Sequence, residues 1–212
     1  MIRPRAFIVT PALASANNGN WHTASRWQQF LSERAETHVA LAWNGEPADA
    51  LIALHARRSA DSIARFAAAR PDRPLALVLT GTDLDRDLAA GDAGALRSLE
   101  CATHVVVLQD EALQRLAPAV RAKARAIVQS AARRVAPRRA GGGAACFAAV
   151  GHLREEKDPA TLMAAVRRLP ADAAVRVLHV GAALDAALGE AARRTMADCP
   201  CYRWVGARPP GA

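Results

Sequence analysis

At 212 residues, with 51% hydrophobic content, the chain is long enough for one large domain or two small ones with buried cores. A net charge of +8 invites a nucleic-acid reading, but only Lys123 and Lys157 among 28 basic residues are lysine, and aromatics, at 4%, do not interleave with the arginines as a base-stacking platform requires. No apolar run approaches the roughly 20 residues of a membrane span, so neither nucleic acid nor a membrane is expected as a partner.

The start of the chain, Met1 to Arg5, then an apolar run and Ala14-Ser15-Ala16, imitates a secretory signal. The apolar stretch is short and broken by Thr10-Pro11, and it reads better as a first strand at 6–10. A helix over about 21–34 follows, with Trp27, Phe30 and Leu31 at helical spacing. Residues 39–43 and 50–54 read as strands, and 59–69 as a helix capped by Ser59 and stopped before Pro71. The uninterrupted apolar run 75–79 suits a strand buried on both faces. Residues 85–102 read as mostly helical, 105–108 as a strand and 111–125 as short helices, with Ile127-Val128 closing the unit.

This alternation predicts the α/β class, a doubly wound parallel sheet with right-handed crossovers. Composition shifts abruptly over 131–145, with Pro137 and Gly141 to Gly143, which reads as a linker between domains at 1–130 and 146–212. The alternation then restarts with strands at 147–150, 175–180 and 202–205 and helices at 159–169 and 184–196. Three strands make the second domain read as partial, and the chain as the first two-thirds of a longer protein. Cys101, Cys146, Cys199 and Cys201 lack zinc-site spacing, and Cys101 and Cys146, in apolar contexts, are expected in the core. A reduced, cytoplasmic protein is the simplest expectation.

Ligands of open α/β sheets sit outside the carboxyl ends of the strands. After the first strand, Gly19 and Asn20 are placed to offer amides to a phosphate, or else form an ordinary loop capped by Asn20. After the third come His55, Arg57, Arg58 and Ser59, two guanidiniums and a hydroxyl at a helix start, suited to an anion. After the fourth come Thr80, Gly81, Thr82 and Asp83. Beyond the linker, Gly151-His152-Leu153-Arg154-Glu155-Glu156-Lys157-Asp158 joins a strand to a helix. Its glycine permits close backbone approach, and its cations and helix start favour a diphosphate; the alternative is a solvated charged turn with Asp158 as cap.

That stretch resembles the donor-binding turn of GT-B glycosyltransferases of the family-4 type, V-G-R-L-x-x-x-K-G. Val150, Gly151, Leu153 and Lys157 match, His152 stands for the arginine and Asp158 for the final glycine, and Arg154 is a substitute guanidinium. Thr80 to Asp83 resembles the family's H-G-x-D at Gly81 and Asp83 but lacks its histidine, leaving His55 to supply an imidazole. The runs at 19–27, 53–59, 79–84 and 151–159 together resemble the selenosugar synthases of selenoneine biosynthesis.

The resemblance implies two Rossmann-like domains, the second incomplete and lacking the acidic segment that clasps ribose and sugar, so the chain is expected to be inactive alone. It implies a UDP-N-acetylglucosamine donor and a selenophosphate acceptor joined through a carbon–selenium bond, with no cofactor and no metal. Gly151, His152, Arg154 and Lys157 would hold the donor diphosphate. Gly19, Asn20, Arg57, Arg58, Ser59, Thr80, Gly81 and Thr82 would hold the acceptor, and His55 and Asp83 would be catalytic. The chemistry is coherent: selenophosphate is already a nucleophile, so it needs cations more than a general base. A family-4 transferase with another acceptor and a non-catalytic anion-binding module are the competing readings.

Overall fold

The computed structural model describes residues 3–16, 18–130, 143–170 and 172–208. The chain divides into two compact units, Met1–Arg133 and Arg134–Ala212. Most of the expected linker, 131–142, lies outside the described residues.

In the first unit six strands form a wholly parallel sheet, ordered β2-β1-β3-β4-β5-β6. The strands are β1 (Arg5–Val9), β2 (Glu36–Ala40), β3 (Ala50–Leu54), β4 (Leu75–Val78), β5 (His104–Val107) and β6 (Ala124–Ala126). The run that imitated a signal is thus an interior strand, hydrogen-bonded on both sides, with Phe7, Ile8 and Val9 buried. Alternation along the strands feeds two cores. Ile8, Leu54, Val78 and Val106 pack with Trp27 and Leu31 of α1 (Gly19–Leu31). Phe7, Val9, Leu51 and Leu77 pack with Ile63 and Phe66 of α2 (Ala60–Ala69) and Leu99 of α3 (Ala93–Cys101).

Several boundaries differ from expectation for local reasons. Asn18, not Asn20, caps α1, its Oδ1 accepting from Trp21 N at 3.2 Å, so Gly19 and Asn20 lie within the first helical turn. Ser59 occupies the cap position of α2 but makes no capping bond; its Oγ donates to Leu54 O at 2.6 Å. The region expected to be one helix begins as a π-helical turn, Asp83–Leu88, and breaks at Gly91 before Asp92 caps α3. Beyond α4 (Asp110–Gln114) and α5 (Pro118–Arg121), residues read as helical enter β6. Just before it, Lys123 Nζ donates to the carbonyls of Leu99 and Ala102 at 2.7 and 2.6 Å and satisfies the end of α3.

The second unit is a three-stranded parallel sheet, β7 (Ala145–Val150), β8 (Val175–Val180) and β9 (Tyr202–Trp204). Met163 and Val166 of α6 (Pro159–Arg167) and Ala192 of α7 (Ala186–Asp198) cover one face, over Val177 and Tyr202. On the opposite face Val150 and Leu178 are exposed, and no described element covers them. Cys146 lies on that exposed face, not in the core its apolar context suggested, whereas Cys101 is half-buried and packs against the first core. No described helix is long and apolar enough to cross a membrane.

Candidate functional site

The strand order turns back between β1 and β3, the position at which open α/β sheets open a crevice. His55 follows β3 there with φ of +73°, a left-handed conformation that costs a non-glycine residue about 1–3 kcal/mol. What holds it is Asp83, fully buried after β4. Asp83 Oδ1 accepts from Ala56 N at 2.9 Å, and Oδ2 accepts from Thr80 N at 2.6 Å and Thr80 Oγ1 at 3.2 Å. One carboxylate therefore ties the β3 and β4 loops together.

His55 Nδ1 lies 2.9 Å from Asp83 Oδ1, an ion-pair distance without hydrogen-bond alignment. Its Nε2 lies 3.3 Å from Thr82 Oγ1. Because the backbone at His55 favours glycine, the usual order of substitutions reverses there. His55→Gly is expected to be more stable than His55→Ala by about 1 kcal/mol in urea denaturation, where glycine ordinarily loses to alanine.

The structure adds two residues that the sequence reading passed over. Asp87, buried, brings its Oδ1 to 3.2 Å from Arg57 Nε and 2.9 Å from Arg86 Nε. Burial pushes its carboxyl up, but the hydrogen bonds and charges of Arg86 and Arg57 outweigh that and hold it below the usual carboxylate range. Arg86 Nη2 also donates to Thr82 Oγ1 at 3.3 Å. Arg86 joins Arg57 on the Asp87 carboxylate, while Arg58 is exposed and makes no ion pair among the described residues. The one available signal was the spacing of Asp83 and Asp87, four apart at a helix start.

Ligand atoms of His55, Asp83 and Asp87 lie within 4.8 Å of one another, a spacing that suits a metal ion. The chemistry opposes one, because amides already engage both Asp83 oxygens and two guanidiniums sit on Asp87. Gly81 is exposed beside this cluster. Gly19 accepts from Thr23 Oγ1 at 2.8 Å, and neither it nor Asn20 bonds to the cluster among the described residues.

In the second unit, Lys157 ends a short 3-10 turn, Glu155–Lys157, and its methylenes lie over Gly151, 3.5–3.8 Å from where a Cβ would stand. Its ammonium is exposed and has no ion-pair partner among the described residues. Asp158 takes φ of +43°, supplying the left-handed turn that the family's glycine would provide, and its side chain caps α6 by accepting from Thr161 N at 3.2 Å. His152 Nδ1 accepts from Ala182 N at 3.0 Å, which leaves the ring proton on Nε2. Arg154 Nε is buried with no hydrogen-bond partner and lies 3.7 Å from Glu156 Oε2, a long ion-pair contact.

Gly181 is a further requirement, since a Cβ there would meet Gly151 O at 1.9 Å. Beneath the turn, His179 Nδ1 and Tyr202 OH are 2.8 Å apart. Burial lowers the His179 pKa from 6.5, against an opposing interaction with the Gly151 backbone, and burial raises Tyr202 to about 12. The unfolded chain therefore takes up the His179 proton first as pH falls. Stability is retained above pH 6.5 and lost below it, and His179→Gln is expected to flatten that dependence in pH-resolved thermal denaturation.

No protein-family model matches the chain, and no curated protein matches it. Solved structures do. The lipopolysaccharide outer core galactosyltransferase WaaB, in its apo form, is similar over 96% of this chain and 68% of its own, with 12% identity and a TM-score of 0.64. Anabaena Alr3699/HepE in complex with UDP-glucose is similar over 98% of this chain and 70% of its own, at 11% identity and a TM-score of 0.58. The fold is that of the GT-B glycosyltransferases. The same Anabaena protein in complex with UDP gives a TM-score of 0.56 at 12% identity, over 97% of this chain and 69% of its own. At such identities the GT-B likeness concerns the fold alone.

Proposed function

We propose that the chain belongs to a UDP-sugar-dependent glycosyltransferase, and that its specific reaction joins N-acetylglucosamine, from UDP-N-acetylglucosamine, to selenophosphate through a carbon–selenium bond. The observation that carries the reading is Lys157, whose methylenes lie over Gly151 at a strand-to-helix turn of a GT-B fold and whose exposed ammonium has no ion-pair partner among the described residues. Such a cation, with the amides at the start of α6, suits a diphosphate and the charge that grows on departing UDP. Solved relatives of this fold hold UDP-glucose and UDP, which supports a nucleotide-sugar donor.

In the first unit, Arg57 supplies the cation for an anionic acceptor that needs no base, consistent with Thr80 in place of the family's histidine. His55 lines that position, whereas the Asp83 carboxylate is committed to backbone amides and acts by positioning His55. Domains at 1–130 and 146–212 and a cytoplasmic location complete the proposal.

The test is incubation of the protein with UDP-N-acetylglucosamine and selenophosphate, following UDP release and the selenium-bearing product by mass spectrometry. Release with sugar hydroxyl acceptors only would replace the selenium reading with another transferase. UDP binding without release from any acceptor would favour a binding module.

A further inference from the structure

We propose that Arg57, Arg86 and Asp87 form a binding site for a phosphate-type oxyanion that carries a proton, and that Asp87 recognises that proton. Arg57 is anchored at Nε by Asp87 Oδ1, at 3.2 Å, and its side chain is 41% exposed. Its two Nη groups have no partner among the described residues, so the anchored guanidinium presents an oriented fork. Arg86 is fixed by the same oxygen at 2.9 Å and by Thr82 Oγ1 at 3.3 Å, which sets a second guanidinium beside the first.

The other oxygen of Asp87 is the informative atom. Oδ2 is buried with no hydrogen-bond partner, and the nearest ring nitrogen, His55 Nε2, stands 3.8 Å away, beyond bonding distance. An ionised carboxylate oxygen only accepts, and a buried acceptor left unpaired calls for a donor. A metal ion is opposed by the two guanidiniums on Oδ1. A ligand that satisfies every group has anionic oxygens for the guanidinium fork and one O–H for Oδ2. Hydrogen phosphate has both; sulfate at neutral pH has the oxygens and lacks the proton.

The inference rests on reading the β3 and β4 loops as the acceptor side of the proposed reaction, but its test uses no donor. Calorimetry on the whole chain compares inorganic phosphate with sulfate at matched ionic strength and pH 7. Phosphate is expected to bind at least about tenfold more tightly, the size of one charge-assisted hydrogen bond. Asp87→Asn, which offers an N–H donor in place of an acceptor oxygen, is expected to bring the two anions within about threefold, mainly by strengthening sulfate. Arg86→Ala is expected to weaken phosphate about tenfold.

Equal binding of phosphate and sulfate by the unmodified chain would overturn the proposal whatever the variants do, and so would selectivity that survives Asp87→Asn. Loss of UDP binding with this selectivity intact would instead overturn the donor-site reading alone.

Discussion

Asp83→Ala is expected to lower the stability of the chain by about 3–5 kcal/mol, the cost of stripping a buried charge from its partners. The carboxylate is fully buried, and its loss strands the Ala56 and Thr80 amides and the Thr80 hydroxyl, each of which it accepts from. Against a typical total of about 5–15 kcal/mol, that loss is large. Asp83→Asn keeps one acceptor oxygen and is expected to cost roughly half as much, since only one of the two loop amides is then left unpaired. Urea denaturation of the three proteins reads this directly. A cost below about 1 kcal/mol for the alanine variant would mean that the loops are held by something else. His55 should lose its imposed backbone geometry in the same variant, so activity is expected to fall even where the fold survives.

The second large effect concerns Lys157. In an active form of the protein, Lys157→Ala is expected to remove on the order of 2–4 kcal/mol of transition-state stabilisation, with UDP affinity weakening in parallel. Neither neighbour is placed in the same way: the His152 ring accepts from Ala182 N, and Arg154 Nε is buried, 3.7 Å from Glu156 Oε2. Arg154→Ala should therefore cost UDP affinity much less than Lys157→Ala does, the reverse of what its proposed substitution for the family's arginine would require. Calorimetry with UDP decides between them. Unchanged UDP affinity in the lysine variant, with the fold intact, would remove the donor site from this turn.

The alternation of apolar runs and amphipathic segments was enough to place the chain in the α/β class, because burial on both faces of a parallel sheet leaves its mark on every strand. β3 and β8 fall at the expected residues, 50–54 and 175–180, where the apolar runs end at polar or glycine residues. Boundaries that depend on capping were less legible: which of Asn18 and Asn20 caps α1 is decided by a single hydrogen bond. Asp158 shows a departure that was visible in sequence and resolved only in the structure, where it adopts the left-handed backbone and caps α6 as well.

The site itself needed tertiary information. Arg86 joins Arg57 at the site because both guanidiniums reach one buried carboxylate, Asp87, delivered by a π-helical turn after β4. Gly181 matters because the Gly151 carbonyl passes within 1.9 Å of where its Cβ would be, and Cys146 is exposed because β7 is an edge strand with little cover on either face. Periodicity and composition are properties of neighbouring residues along the chain, so they determine elements and their order. Charge pairing, close backbone approach and the burial of a given face arise between segments distant in sequence, so only the folded chain could decide them.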